Sequence, residues 1–222
     1  MIEDLRRRIP YEEFDYQTLL DSLRTYSRPR DKITALLKKG VIVRIKKGLY
    51  IFGEEYRKNP YSNEILANLI CGPSYISLEY ALQYYGLIPE RVVAVTSVTT
   101  GRSREFLTPV GLFIYRMIPK NAFRTGMDRA EIDAGRSFLI AVPEKALADK
   151  LYQERGIGIQ TQTALRDYME SELRIDTSAL LKMNPEYLED IARRYRSRKI
   201  RLLSGLIRRL KGNGREKEVF NA

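Results

Sequence analysis

Near the start of the chain, apolar residues recur first at helical spacing and then in alternation. Tyr16, Leu19, Leu20 and Leu23 mark one helix, with Asp15 placed to cap it. Ile33, Leu36 and Leu37 mark a second, with Ser27 as cap, Pro29 in the first turn and Asp31 near the positive end of the dipole. Tyr26-Ser27 forms the turn between them, and Gly40 supplies the left-handed residue that ends the second helix. Val41, Val43 and Ile45 then alternate with Ile42 and Arg44, Lys46-Lys47-Gly48 makes a turn, and Leu49 to Phe52 returns as a strand. Two helices running into a basic-tipped hairpin predict a winged helix-turn-helix. Ahead of it, residues 1–9 predict a short amphipathic helix ending before Pro10, with Arg6-Arg7-Arg8 as a solvated face. The polar stretch 54–63, with Asn59-Pro60, places a boundary near 57–61.

Beyond that boundary the period changes several times. NEILANLIC predicts a helix over 63–71, closed by Gly72-Pro73, and Ser77 caps the next, LEYALQYY, which stops at Gly86. VVAVTSV, Glu105 to Thr108, GLFIYRMI and Phe138 to Val142 read as strands of a small antiparallel or mixed sheet, with TTGRSR a turn. Pro143 opens the helix PEKALADKLYQER, with Glu144 near its positive end. TQTALRDYMESEL, TSALLKM and PEYLEDIARRYRSRKIRLLSGLIRRL are helical, with Asp176 and Asn184 as caps and a frayed tail after residue 212. The predicted fold class is α+β. A winged helix-turn-helix over 1–58 is followed by a mixed α/β part over 59–222, its core reaching about 155 and its helical portion spanning 156–212.

Charge sharpens this picture. The chain of 222 residues carries net charge +11, divided as +5 over 1–59, −3 over 60–192 and +9 over 193–222. Two basic ends flank an acidic middle, so an anionic partner meets the ends. From Arg24 to Lys47 nine basic residues face one acid, Asp31. With Ile33, Leu36 and Leu37 turned inward, Arg28, Asp31, Lys32, Thr34, Ala35 and Lys38 fall on the outer face of the second helix. Such a face suits the major groove, where Arg and Lys reach guanine acceptors and Thr or Ala methyls meet thymine. Lys46-Lys47 at the hairpin tip suits phosphate contact, which fixes register. The predicted DNA-binding set is Arg28, Arg30, Lys32, Thr34, Lys38, Arg44, Lys46 and Lys47. A second basic surface is available on the last helix in Arg193, Arg194, Arg198, Arg201, Arg208 and Arg209. That helix reads equally as a packed terminal helix with a solvated face, as a partner surface or as a second DNA contact.

Candidate chemistry elsewhere is thin. The chain has no histidine and one cysteine, Cys71. Histidine triads, histidine metal sites and an intramolecular disulfide are therefore excluded, and Cys71 reads as a small buried hydrophobe. Tyr75, Tyr80, Tyr84 and Tyr85 read as core packing rather than a base-stacking platform. Glu144, Lys145 and Asp149 lie within about one helix turn of each other, which suits i,i+4 pairing and capping better than a convergent metal site. No apolar run approaches the ~20 residues of a membrane span. The expectation is a cytoplasmic protein without membrane contact, cofactor, metal or enzymatic activity.

Three stretches resemble the AbiEi-type antitoxins of bacterial type IV toxin–antitoxin systems: LLKKGVIVRIKKGLYIF, YISLEYALQYYGLIPE and FLIAVPEKALADKLY. Their order covers most of residues 14 to 155. The resemblance implies an antitoxin whose winged helix binds inverted repeats in its own promoter and represses the operon. Its larger domain would oppose a co-encoded nucleotidyltransferase toxin without a stable complex. By motif match, Ser77, Leu78, Ala81, Gly86, Pro143, Glu144, Lys145 and Asp149 fall in that antitoxin domain. The longer lead of residues 1–13 departs from the family pattern. The alternative is a stand-alone winged-helix regulator whose second domain senses a ligand or dimerises.

Overall fold

The computed structural model describes residues 2–133, 135–156 and 158–219 of the chain, which is mixed α+β. The first part runs α1 (Ile2–Arg8), β1 (Glu13–Asp15), α2 (Tyr16–Ser22), α3 (Pro29–Lys38), β2 (Ile42–Lys46) and β3 (Leu49–Phe52). Its sheet has the order β1-β3-β2 with both pairings antiparallel. Strand β1, which the sequence reading missed, is too short to show a period of two. Asp15 caps α2 as predicted: its Oδ1 accepts the Thr18 amide at 2.8 Å, and that bond holds its carboxyl below the usual range.

The smaller core gathers Leu5, Ile9, Phe14, Leu19, Leu23, Ile33, Leu36, Tyr50 and Phe52 among its buried members. Arg6 is buried too, correcting its assignment to a solvated face. Its guanidinium donates to both oxygens of Glu12, at 2.9 and 2.7 Å, and lies 4.1 Å from the centre of the Phe52 ring. Glu12 also accepts the Lys58 and Asn59 amides at 3.1 and 3.0 Å, so this pair ties α1 to the connecting segment. Arg8 donates to the Ser22 carbonyl at 2.9 Å.

Residues 57–62 form neither helix nor strand. After them come α4 (Asn63–Ile70), β4 (Ser74–Ile76), α5 (Leu78–Tyr84), β5 (Val95–Thr99), β6 (Arg104–Thr108), β7 (Gly111–Met117), α6 (Lys120–Phe123), β8 (Met127–Asp133) and β9 (Arg136–Ala141). The strands form one mixed sheet in the order β6-β7-β5-β4-β9-β8, with β4·β9 and β5·β7 parallel. Strands β4 and β8 escaped the sequence reading, β4 because three residues carry no pattern and β8 because its MDRAEID is polar and mostly exposed. The predicted strand from Val92 starts only at Val95. Tyr75 points to the face covered by α7 (Pro143–Gln153), while Tyr115 points to the opposite face and donates to the Ala67 carbonyl of α4 at 2.6 Å. Cys71 is half-buried at the margin of the core, and within the tyrosine cluster Tyr75 is buried while Tyr84 stays exposed.

The helical remainder comprises α8 (Gln162–Asp167), a π-helical turn (Tyr168–Glu172), α9 (Thr177–Lys182), α10 (Pro185–Tyr195) and α11 (Arg198–Val219). Asp176 and Asn184 cap α9 and α10 as expected. The single helix predicted from residue 185 onward is instead two, broken where Arg196 adopts φ 52°. The break lets α11 fold back on α10 and bury Ile200, Leu203, Leu206 and Ile207 in the larger core. Helix α11 continues to Val219, beyond the predicted start of fraying, and residues 220–222 of that predicted tail lie outside the described residues.

The hairpin belongs to both cores. Ile42, Tyr50 and Phe52 join the smaller one; Ile45, Leu49 and Ile51 join the larger, with Val43 packed against it. Glu13, opposite Ile51, accepts the Ser62 amide and lies 3.6 Å from the Arg136 guanidinium. Burial raises the Glu13 pKa in spite of both partners.

Two outcomes follow for stability. Residues 1–58 made alone expose the apolar hairpin face, so they bind a hydrophobic dye and lack a cooperative urea transition; a sharp monomeric transition would contradict the shared core. Arg6→Ala in the full chain leaves Glu12 buried without its cation, an expected loss of about 3–5 kcal/mol on chemical denaturation.

Candidate nucleic-acid interface

Helix α3 is held from below and open above. Ile33 and Leu36 are buried in the smaller core, while Arg28, Arg30, Asp31, Thr34 and Lys38 are exposed. Pro29 takes the first helical position, leaving Arg28 at the cap without a side-chain bond; Ser27 therefore does not cap this helix. Gly40 ends it at φ 66° as predicted. Arg28 and Asp31 stand 4.0 Å apart at 84% and 74% exposure, a contact too wet to restrain either side chain. The Thr34 hydroxyl donates to the Arg30 carbonyl at 3.2 Å.

Lys32 departs from the predicted outer face. It is half-buried, its ammonium lies 4.9 Å from the Tyr26 ring centre, and it lines a small cleft with Leu5, Arg8 and Leu36. The ring offers its cation a partner that an outward rotamer lacks.

On the hairpin, Arg44 and Lys47 are exposed. Lys46, which the sequence suggests as a phosphate contact, is turned inward in the structure. It is half-buried, donates to the Ile70 carbonyl at 2.5 Å and lies 5.7 Å from the Phe106 ring centre. Ile70 is the last residue of α4, whose final carbonyls lack helical partners and attract a cation.

The motif residues of the larger part converge on one buried carboxylate. Asp149 Oδ1 meets the Lys145 ammonium and accepts the Tyr195 hydroxyl, while Oδ2 accepts Ser77 Oγ at 2.7 Å and the Tyr75 hydroxyl at 3.2 Å. Lys145 also donates to the Tyr195 oxygen at 2.6 Å. The i,i+4 pairing of Lys145 with Asp149 is as expected, but neither side chain reaches solvent (0% exposed each). Ser77 stands at the start of α5 yet makes no capping bond: its hydroxyl is turned to Asp149, and Thr96 Oγ1 accepts the Tyr80 amide at 3.0 Å in its place. The lysine stem lies against Gly126 (φ 76°), where an added Cβ would come within 2.5 Å of the Lys145 Cβ. Glu144 accepts the Asn184 amide at 2.9 Å, and with Gly86 it lines a cleft of about 250 Å³ shared with Tyr85, Leu87, Lys182 and Met183. Tyr75 and Tyr195 were missing from the sequence-based set; they lie 74 and 46 residues from Asp149, and no local spacing announces them.

The second basic surface is partly neutralised. Arg193 and Arg194 share Asp190 at 3.2 and 3.0 Å, Arg201 lies 3.4 Å from Glu189, and Arg208 lies 3.5 Å from Glu186. The Asp190 pairs form within α10, whereas the antiparallel turn at Arg196 brings Glu186 and Glu189 of α10 against Arg208 and Arg201 of α11, which a continuous helix would not do. Arg198 donates to the Gln160 carbonyl at 3.4 Å, and Arg209 is exposed beside Gln162 and Arg166.

Among the described residues no helix is long and apolar enough to cross a membrane, and no cluster of three or more His, Cys, Asp or Glu is placed to hold a metal ion. No protein-family model matches the chain, and no curated protein matches it significantly in sequence.

The buried tyrosines set a pH limit. Burial, reinforced by Asp149, raises the pKa of Tyr75 and Tyr195, and burial raises that of Tyr115. Above about pH 10 the unfolded chain loses tyrosine protons that the folded chain keeps, so stability falls as pH rises. Lys145 and Lys199, their pKa values lowered by burial, work in the opposite sense but are outnumbered by the tyrosines that burial raises, Tyr80, Tyr85, Tyr168 and Tyr187 among them. Urea midpoints should therefore drop between about pH 10 and 11; a flat profile there would contradict tyrosine burial. Asp149→Ala strands a buried ammonium, with an expected loss of about 3–5 kcal/mol by the same assay.

Proposed function

We propose that the chain is a DNA-binding regulator whose first 58 residues act as a winged helix-turn-helix, with α3 as the reading helix. The observation that carries this reading is the α3 surface. An apolar underside fixes the helix, and four potential readers, Arg28, Arg30, Thr34 and Lys38, stand exposed on the other side. The order helix, strand, two helices and hairpin, with the hairpin paired to β1, supports it. Arg44 and Lys47 add exposed charge around that surface, and like Lys38 they have no ion pair among the described residues, so phosphates are the natural counter-ions.

The role of antitoxin against a nucleotidyltransferase toxin rests on the three resembling stretches. Two of them meet in the fold, since Ser77 of one donates to Asp149 of the other. In this reading the larger part is a binding or regulatory body, not an enzyme. Its acidic middle lies away from the DNA. The stand-alone regulator differs only in lacking a toxin partner. Co-expression with the adjacent reading frame separates the two: restored growth supports the antitoxin, and a harmless neighbour leaves the regulator.

The DNA reading is tested by selecting duplexes from a random library with the full-length protein. Arg30→Ala and Thr34→Ala should each change the preferred sequence, at about 1–3 kcal/mol for a lost base contact. Equal weakening on every sequence would remove α3 from the reading role.

A further inference from the structure

We propose that the bulge in β2 gives the two lysines of the hairpin tip different partners. Lys46 serves the larger part of the chain and positions the hairpin, while Lys47 alone meets the DNA backbone. The inference rests on the DNA-binding reading above and concerns how that surface is built.

In a regular strand, Arg44 and Lys46 would share a face, because side chains alternate with a period of two. Ile42 lies opposite Phe52 and Arg44 opposite Tyr50, which sets both on the side of the helices. Between Arg44 and Lys46 two residues of β2 stand against one of β3, and Lys46 comes to lie opposite Leu49, a member of the larger core. A bulge re-aims side chains in this way. Here it turns one cation from the helix side of the sheet to the other.

Three effects hold the Lys46 ammonium once it has been turned. The Ile70 carbonyl it meets has no partner within its own helix, that carbonyl carries the negative end of the helix dipole, and the Phe106 ring presents its face. Moving Lys46 to a phosphate would give up all three and leave the carbonyl without its donor. Lys47 is one residue further along, exposed, and without an ion pair or hydrogen bond among the described residues. The tip therefore offers DNA one charge rather than two.

The test uses the full chain and a duplex carrying the sequence upstream of its reading frame, titrated between about 50 and 200 mM salt. Lys47→Met should lower the slope of log affinity against log salt by about 0.9 and leave the Tm unchanged. Lys46→Met should leave the slope unchanged and lower the Tm by about 2–4 °C, and Lys46→Arg should restore it. A reduced slope with an unchanged Tm in Lys46→Met overturns the assignment and returns Lys46 to the DNA. If the wild-type chain shows no salt-dependent binding to the duplex, the DNA reading and the role of Lys47 fall together. The seat of Lys46 is still judged by its Tm, and an unchanged value there overturns that half.

Discussion

Strand β3 has no solvent face, and the arrangement of the whole first part depends on that. Tyr50 and Phe52 pack under the helices, while Leu49 and Ile51 pack into the larger core. Fully burying a side chain of this size is worth roughly 1.5–3 kcal/mol. Four of them together match the net stability of an ordinary domain, about 5–15 kcal/mol. Among the described residues no surface ion pair competes with a term of that size. The position of α3 relative to the six-stranded sheet is thus set mainly by packed side chains, with residues 57–62 adding the amide bonds that Glu12 and Glu13 accept.

A second constraint governs the larger part. A carboxylate with no solvent contact is tolerable only when its charge and its lone pairs are all met. Asp149 achieves this with a lysine from its own helix, a serine and a tyrosine from the β4 segment, and a tyrosine from α10. The Ser77 and Lys145/Asp149 stretches are therefore bound together by electrostatic necessity. Losing any one partner leaves the others with unmet bonds.

Much of the local structure was legible in the sequence. The α3 stripe, the Asp15, Asp176 and Asn184 caps and the turn at Gly40 follow from rules that act within a few residues. What escaped depends on groups distant in sequence. Arg6 reads as one of three solvated arginines until Glu12 and Phe52 enclose it. Ser77 has the spacing of a cap and is diverted by a carboxylate 72 residues away. Lys46 has the composition of a DNA contact, and a one-residue register shift reassigns it. The apolar spacing of residues 185–210 continues through Arg196, so only the tertiary fold reveals the turn there.

Under the proposed DNA-binding function, a hairpin embedded in two cores would also limit how copies of this chain could be spaced along a duplex. A helix reader on a flexible tether can tolerate an inserted base pair by swinging around the groove. Each inserted pair turns the next site by about a tenth of a revolution, and a molecule whose reading helix is fused to its bulk has no swivel with which to follow. Two bound copies would then meet through their larger parts in one helical phase only, so the phase of the DNA, rather than the length of a linker, decides whether they touch.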